Sequence, residues 1–360
     1  MIAIIDVSSA VHGGHRGSPD YRISGFPCGG LRKVLGLVNS SLMTKEVVLC
    51  FDSPNLLKKE LLPTYKSGRV PDYSVAAQVD LLKEILLDCN IEYYCTDRYE
   101  ADDNICSVVH TLAEVGRSDR VVIYSDDRDL ACCVSPNVEV QGITSNGIHI
   151  DYANFSKRKL VSTGTIPYNT ILLHKMLYGD TSDNYSGLKI PGLRFDIMAE
   201  EITQSFNALI DKGVLPHSTY MNISAMEIMI DALPDSFSDS DKEALKKQAR
   251  IVFPYLIDVT KKGLEAFRAD TFNVDKHLKL ATCSNVNFDK LTVYCNALGL
   301  NKCRTDRYKI KYEDDVAAFK DSLHKRAKEL SSGAMAVGIY KNRREFSMES
   351  ETIENMQLPL

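Results

Sequence analysis

The chain has 360 residues, of which 44% are hydrophobic and 25% charged, and a formal net charge of −5. That composition excludes a mostly disordered or collagen-like chain, and no apolar run approaches the ~20 residues that span a bilayer. At ~150 residues per domain the length suggests about two domains, and the acidic balance at first argues against a nucleic-acid partner.

Met1-Ile2-Ala3-Ile4-Ile5-Asp6 has no basic segment of the signal-peptide kind and reads as a buried strand. Further strand-like runs follow at Val47–Phe51, Ile91–Cys95 and Val121–Tyr124. All are nearly continuous apolar stretches, as expected of strands covered on both faces. Between them, Ser74 is placed to cap a helix carrying Val75, Val79, Leu82, Ile85 and Leu86 on one face. A second helix is expected from about Ala101, with Ile105, Val108, Val109 and Leu112 inside and Gly116 just past its end. This alternation predicts an α/β fold with a mainly parallel central sheet flanked by helices. Asn146-Gly147 is a hairpin signal and suggests a small antiparallel extension.

Residues 165–211 read as helical, broken by Ser186-Gly187-Leu188-Lys189-Ile190-Pro191-Gly192, and 212–222 as a linker. Beyond it the pattern is mostly helical, with Ser238 capping a helix to about Ile257. The ten cysteines are scattered without a C-x-x-C pair, and Cys132 and Cys133 are adjacent. That spacing argues against disulfides and structural zinc and for reduced thiols in a reducing compartment.

Each of the four apolar runs leads into acid. Asp6, Asp52, Glu100-Ala101-Asp102-Asp103 and Asp126-Asp127-Arg128-Asp129 follow in turn. In a parallel sheet the carboxyl ends of the strands share one edge, where ligands bind. A single aspartate there is most often a turn former or helix cap, and Asp102 and Asp103 fit a helix's first turn. Four strand ends doing the same thing point to one crevice. Carboxylates gathered there repel unless cations sit among them, and an all-oxygen set suits Mg²⁺ or Mn²⁺ better than zinc. Asp180 and Asp183 add a pair that a helix would place on one face. Two such groups suit a pair of ions roughly 3.5–4 Å apart acting on a phosphodiester.

The charge balance agrees. Residues 1–200 hold 20 Lys and Arg against 25 Asp and Glu, while 201–360 hold 23 of each, so the acidic excess lies wholly in the first half. Two divalent ions would leave a net charge of about −1, with basic groups to spare for phosphate.

In order, these segments resemble the 5′-nuclease superfamily, which includes flap endonucleases, the 5′-nuclease domain of bacterial DNA polymerase I and bacteriophage 5′→3′ exonucleases. Five segments over roughly residues 1–200 carry the resemblance: Ile4-Ile5-Asp6, Phe51-Asp52, Tyr65-Lys66-Ser67-Gly68-Arg69, Glu100–Asp103 and Ser125–Leu130. Gly179-Asp180-Thr181-Ser182-Asp183-Asn184 completes the set.

The resemblance implies a PIN-like nuclease core over 1–165, with an arch region at about 55–78. It implies a helix–three-turn–helix DNA-binding module over 166–211, and leaves 212–360 as a mostly helical extension. Asp6, Asp52, Glu100, Asp102, Asp103, Asp127, Asp129, Asp180 and Asp183 match the metal-holding acids. Lys66 and Arg69 match catalytic contacts to the scissile phosphate, and Tyr65 a platform for a terminal base. Lys58 and Lys59 read as an extension of the basic wall or, more often, a solvated helix face.

The loop after Asp183 departs from the family pattern, with Arg194 where a glycine is common. This counts against the K⁺ site of the family and leaves Lys189 and Arg194 as substrate-binding candidates. Asp126, another departure, is expected to point away from the metals.

The implied activity is hydrolysis near the 5′ end of DNA, or of RNA in DNA duplexes, as 5′→3′ exonuclease or 5′-flap endonuclease. Two Mg²⁺ ions, with Mn²⁺ as a substitute, would serve a free-standing, monomeric, bacteriophage-type replication and primer-removal enzyme in the (host) cytoplasm, with replication proteins as further partners. The alternative is a PIN-like RNase, and the Asp180–Asp183 module counts against it.

Overall fold

The computed structural model describes residues 1–144, 147–154, 158–161, 164–167, 171–187, 208–209, 212, 227–228, 230–233, 235, 237–252, 278–300 and 312–332. Strand β1 (Ile2–Asp6) is buried along its whole length because both of its faces are covered. Ile2 and Ile4 join one apolar cluster, and Ala3 and Ile5 join the other. That period of two is the strand's own geometry.

After β1 the chain forms α1 (Val7–Gly17), the short hairpin β2 (Arg22–Ile23) and β3 (Phe26–Pro27), α2 (Gly29–Leu42) and β4 (Glu46–Cys50). Next come α3 (Leu57–Leu61), α4 (Tyr73–Asp88), α5 (Ala101–Glu114) and β5 (Val121–Tyr124). A 3-10 helix (Asp129–Cys133) and the strands β6 (Val138–Gln141) and β7 (His149–Ile150) complete the sheet. Its order is β4-β1-β5-β6-β7. The first four strands run parallel, and β7 pairs antiparallel with β6, Val140 opposite Ile150. The antiparallel extension expected from Asn146-Gly147 is therefore present, although Asn146 itself lies outside the described residues.

One layer of helices, α1, α2 and α4, covers the face carrying Ala3, Ile5, Val47 and Leu49. Helices α1 and α2 meet at glycines. A Cβ on Gly14 would stand 2.6 Å from the Gly29 carbonyl oxygen, so the backbones approach as only glycine permits. Gln78 of α4 accepts from the Gly30 and Leu31 amides, capping α2 from outside. The other face packs on α5 and the 3-10 helix through Ile105, Val108, Leu112, Leu130 and Val134.

Three sequence-based expectations change. Ile91–Cys95 is not a strand; it touches the sheet edge through a single parallel bridge, Cys50 to Tyr94. Helix α4 is capped by Asp72, whose side chain accepts from the Ser74 and Val75 amides, so Ser74 lies inside the helix. Residues 164–167 are strand rather than helix: β8 (Arg158–Val161) and β9 (Gly164–Pro167) form a hairpin across position 165. Helix α5 ends as expected, with Gly116 at φ +68° one residue beyond Val115.

Further along lie α6 (Ile171–Tyr178), the hairpin β10 (Gly179–Asp180) and β11 (Tyr185–Ser186), α7 (Asp239–Val252), α8 (Phe288–Ala297) and α9 (Glu313–Ser331). Ser238 caps α7 by accepting from the Asp241 amide. The described parts of 278–332 pack on the N-terminal layer. Leu291, Cys295, Leu298 and Leu323 share the cluster of α2 and α4, and Ala281 exchanges two backbone hydrogen bonds with Val47. Among the described residues no helix is long and apolar enough to cross a membrane.

Candidate metal centre and active site

The sheet brings the acids together at one edge. Asp6 ends β1, Asp52 follows β4, and Ser125 to Asp127 follow β5; these three strands are neighbours with β1 in the middle. The chain passes from β1 to its neighbour β4 and then back across β1 to β5 on the other flank, and this reversal of strand order makes the β1/β5 edge the natural crevice of such a sheet. Asp6 Oδ1 accepts from the Ser9 amide at the start of α1, and Oδ2 accepts from the Ser125 hydroxyl at 2.7 Å.

Helix α5 supplies the next group. Asp52 Oδ1 accepts from the Ala101 amide at 2.8 Å, and Asp103 Oδ2 accepts from the Glu100 amide at 2.9 Å. The helix start, with its partial positive charge, thus gathers four carboxylates. Oxygens of Glu100, Asp102 and Asp103 lie within 4.8 Å of one another.

The third group comes from α6 and the β10–β11 hairpin. Asp180 and Asp183 do not share a helical face as the spacing suggested. Gly179 at φ +75° and Asn184 at φ +60° fold the segment into a tight hairpin instead, and a turn brings residues three apart together as well as a helix does. Asn184 donates to the Thr64 carbonyl and the Ser67 hydroxyl, and the Lys66 amide donates to the Asp183 carbonyl. Lys66 holds φ +52°, a left-handed conformation uncommon for a non-glycine residue and typical of functional loops.

Four cationic side chains sit among the nine acids. Lys66 and Lys58 bond opposite oxygens of Glu100, Lys58 at 2.7 Å, and Lys58 is also 3.4 Å from Asp103 and 3.8 Å from Asp102. Lys175 bridges Asp129 and Asp180, and Arg69 reaches Asp183 Oδ1 at 2.8 Å. A cleft of ≈ 140 Å³ is lined by Lys66, Arg69, Asp102, Asp127, Asp129 and Asp183, among others. Asp126 turns away as expected, accepting from the Ile143 amide.

Two expectations are corrected here. Lys58 is neither wall nor wet helix face; it is 4% exposed and inside the acid cluster. Tyr65 is not an open stacking platform. Its ring is 1% exposed, and its hydroxyl donates to Glu100 at 2.9 Å and lies 3.4 Å from Asp183. Lys189 and Arg194 lie outside the described residues, as does most of the expected helix–three-turn–helix module. Lys175 was missed by sequence reasoning; a lysine in an apolar helix five residues before Asp180 carries no signal until the hairpin folds back.

The electrostatics follow from burial against pairing. Burial works against the Lys58 charge, but Asp102, Asp103 and Glu100 outweigh it and hold the ammonium well above its ordinary range. Burial likewise works against Glu100, and Lys58 and Lys66 overcome it, keeping the carboxyl well below its ordinary range. Burial is also opposed at Asp180, where Lys175 and Ser182 hold the carboxyl at about 2.

Asp6 goes the other way. Burial, with Asp52 and Asp127 adding, pushes it up to about 7 against the bonds from Ser9 and Ser125. A carboxyl raised in the folded state favours folding below its unfolded pKa, and that contribution is lost as pH rises through about 7. In chelator, Asp6→Asn should therefore gain stability relative to the parent between pH 5 and pH 8, by up to about 3 kcal/mol. Urea denaturation of both proteins at the two pH values measures this, and an equal difference at both would refute it.

As a donor set the cleft is all oxygen, chiefly carboxylate, with neither histidine nor thiol among its lining residues. Such oxygens fit a hard divalent cation. Asp102, Asp127, Asp129 and Asp183 face the cleft, whereas Asp103 is committed to the helix start and Lys58.

A family model described as the 5′-3′ exonuclease, N-terminal resolvase-like domain matches residues 1–159. A 5′-3′ exonuclease of Aquifex aeolicus is 31% identical over 194 residues, 52% of this chain and 64% of that protein. One from Bacillus subtilis is 31% identical over 173 residues, 46% of this chain and 56% of that one. The matches thus span under two thirds of these relatives. Among solved structures, a T5 5′-exonuclease with bound zinc covers 75% of this chain and 97% of its own at 17% identity, with a TM-score of 0.48.

Proposed function

We propose that the chain, whose residues 1–159 match the 5′-3′ exonuclease N-terminal domain, is a metal-dependent 5′-nuclease. Its reaction is hydrolysis of phosphodiester bonds near the 5′ end of DNA, or of RNA paired to DNA, as 5′→3′ exonuclease or 5′-flap endonuclease. The observation that carries this reading is the cleft into which Asp102, Asp127, Asp129 and Asp183 face beside Lys66 and Arg69, next to the strand ends that carry Asp6 and Asp52. Mg²⁺ is the proposed ion, with Mn²⁺ as a substitute, and Asp6, Asp52, Glu100, Asp102, Asp127, Asp129, Asp180 and Asp183 would hold the ions directly or through water. When bound, a pair of divalent ions supplies an activated water nucleophile and stabilises the charge of the phosphoryl transition state.

The chain's own residues do the rest. Arg69 is 57% exposed in its side chain and can fork onto a phosphate at the mouth of the cleft. Lys66 lies deeper, against Glu100, where its ammonium can meet charge developing on a phosphate oxygen. Asn184 and the Lys66 backbone fix the loop to the hairpin, so both cations keep their place relative to Asp183. Tyr65 lines the cleft and positions Glu100 through its hydroxyl. Contacts to phosphate and metal carry little sequence information, so sequence preference should be weak. A monomer acting in the cytoplasm in replication and primer removal completes the reading.

Product sizing on a 5′-labelled flap, a nicked duplex and an RNA-primed duplex, with and without Mg²⁺, tests it. Short 5′ products from the paired substrates only with Mg²⁺ are expected. Cleavage confined to single-stranded RNA would favour a PIN-like RNase instead.

A further inference from the structure

Beneath the acids lie three thiols that this function does not use. Cys106 is on the inner face of α5, and Cys132 and Cys133 end the 3-10 helix that starts at Asp129. Cys106 and Cys133 are 0% exposed and Cys132 is 4% exposed. Cys106 Sγ stands 2.8 Å from Cys133 Sγ, and Cys132 Sγ is 3.9 Å from each. Cys106 and Cys133 are 27 residues apart in sequence.

Two chemistries suit three sulfurs this close: a thiophilic cation or a covalent bond. Charge separates them. Three thiolates around a divalent cation leave a net negative charge in a buried site, close to Asp102 and Asp127, and among the described residues no histidine or carboxylate completes the group. A disulfide is neutral and needs only the closest pair.

We propose that Cys106 and Cys133 are an oxidation site, forming an intramolecular disulfide when the folded protein meets a two-electron oxidant such as a hydroperoxide. Once local opening exposes the pair, one thiol loses its proton to water and its thiolate attacks the peroxide, giving a sulfenic acid and a hydroxide that takes up that proton. The second sulfur then displaces the sulfenic oxygen, forming the S–S bond, and the oxygen leaves as water. Overall two thiols and one hydrogen peroxide give one disulfide and two waters. Local opening of the 3-10 helix admits the oxidant. The new bond ties α5 to the 3-10 helix, the two elements whose first turns carry Asp102 and Asp103 on one side and Asp129 on the other. Cross-linking a loop of this length restricts the unfolded chain and stabilises the fold.

The test treats the full native chain with hydrogen peroxide, blocks remaining thiols with iodoacetamide and maps the peptides by mass spectrometry. The expected major product has lost the mass of two hydrogens and contains a Cys106–Cys133 cross-linked peptide. Its thermal midpoint is raised, and dithiothreitol reverses both changes. Cys106→Ala should abolish the cross-link, and Cys283→Ala, in an exposed turn outside both elements, should keep it. The map of the unmodified sequence decides the matter even if Cys106→Ala folds poorly. The proposal is overturned if Cys106 and Cys133 stay alkylatable while the exposed Cys283 is oxidised. It is equally overturned if the cross-link joins other cysteines, or if the trio retains stoichiometric Zn²⁺ that blocks oxidation.

Discussion

Asp127→Ala should reduce divalent-dependent cleavage of a 5′-flap DNA by at least about 10³-fold, beyond the 10–100-fold typical of residues one step removed from a metal. Asp127 leaves the sheet after β5, next to Asp6 at the end of β1, and lines the cleft together with Asp102 and Asp183. Structurally it holds little. Its Oδ1 accepts the Asp129 amide in an exposed turn, and Ser125 and Asp6 keep their own bond without it. The variant should therefore fold with a thermal midpoint close to the parent's. Initial rates at saturating Mg²⁺, together with the melting curve, check both halves. Retention of activity within about tenfold would remove Asp127 from the metal-holding set.

Lys58→Met should cost the metal-free protein about 3–5 kcal/mol, the usual penalty for removing one partner of a buried ion pair. Lys58 is matched against Glu100, Asp103 and Asp102, and its side chain is 5% exposed, so neither solvent nor another residue's flexible end can take its place easily. Methionine keeps the apolar stem and removes only the charge. The carboxylates left behind repel one another with only Lys66 still on Glu100, and a divalent cation is the further means of neutralising them. Millimolar Mg²⁺ should then restore more stability to Lys58→Met than it adds to the parent. Urea denaturation with Mg²⁺ and with chelator measures both quantities. A loss under about 1 kcal/mol, or the same Mg²⁺ effect on both proteins, would mean that Lys58 does not balance the cluster.

The sequence made Asp6, Asp52 and Asp127 legible because each sits where a strand ends, and strand ends are readable from apolar runs. Asp6, Asp52 and Asp127 needed only β1, β4 and β5 to be found in the right order on one sheet. Glu100, Asp102 and Asp103 were found for a partly wrong reason. Ile91–Cys95 is not a strand, and it is the α5 start, held by Asp52, that carries them in. Backbone pairing depends on a partner edge, which a local apolar run does not specify.

The cations were hidden for a different reason. Leu57-Lys58-Lys59-Glu60-Leu61 has the polarity of a surface helix, and only the position of α3 against α5 buries Lys58. Tyr65 belongs to a motif whose spacing says nothing about which way the ring points; its hydroxyl found Glu100 and Asp183 inside. For Asp180 and Asp183, a spacing of three fits a helix and a turn equally, and the left-handed backbone at Gly179 and Asn184 decides for the turn.

The central claim is that the carboxylates at the β4-β1-β5 edge share divalent ions. Anomalous diffraction from crystals grown with Mn²⁺ tests it most directly. Two Mn²⁺ peaks roughly 3.5–4 Å apart, between Asp102, Asp127 and Asp183, are the predicted result. Well-ordered crystals at millimolar Mn²⁺ with no anomalous density there, and with Lys58, Lys66 and Lys175 still seated on the same carboxylates, would contradict it.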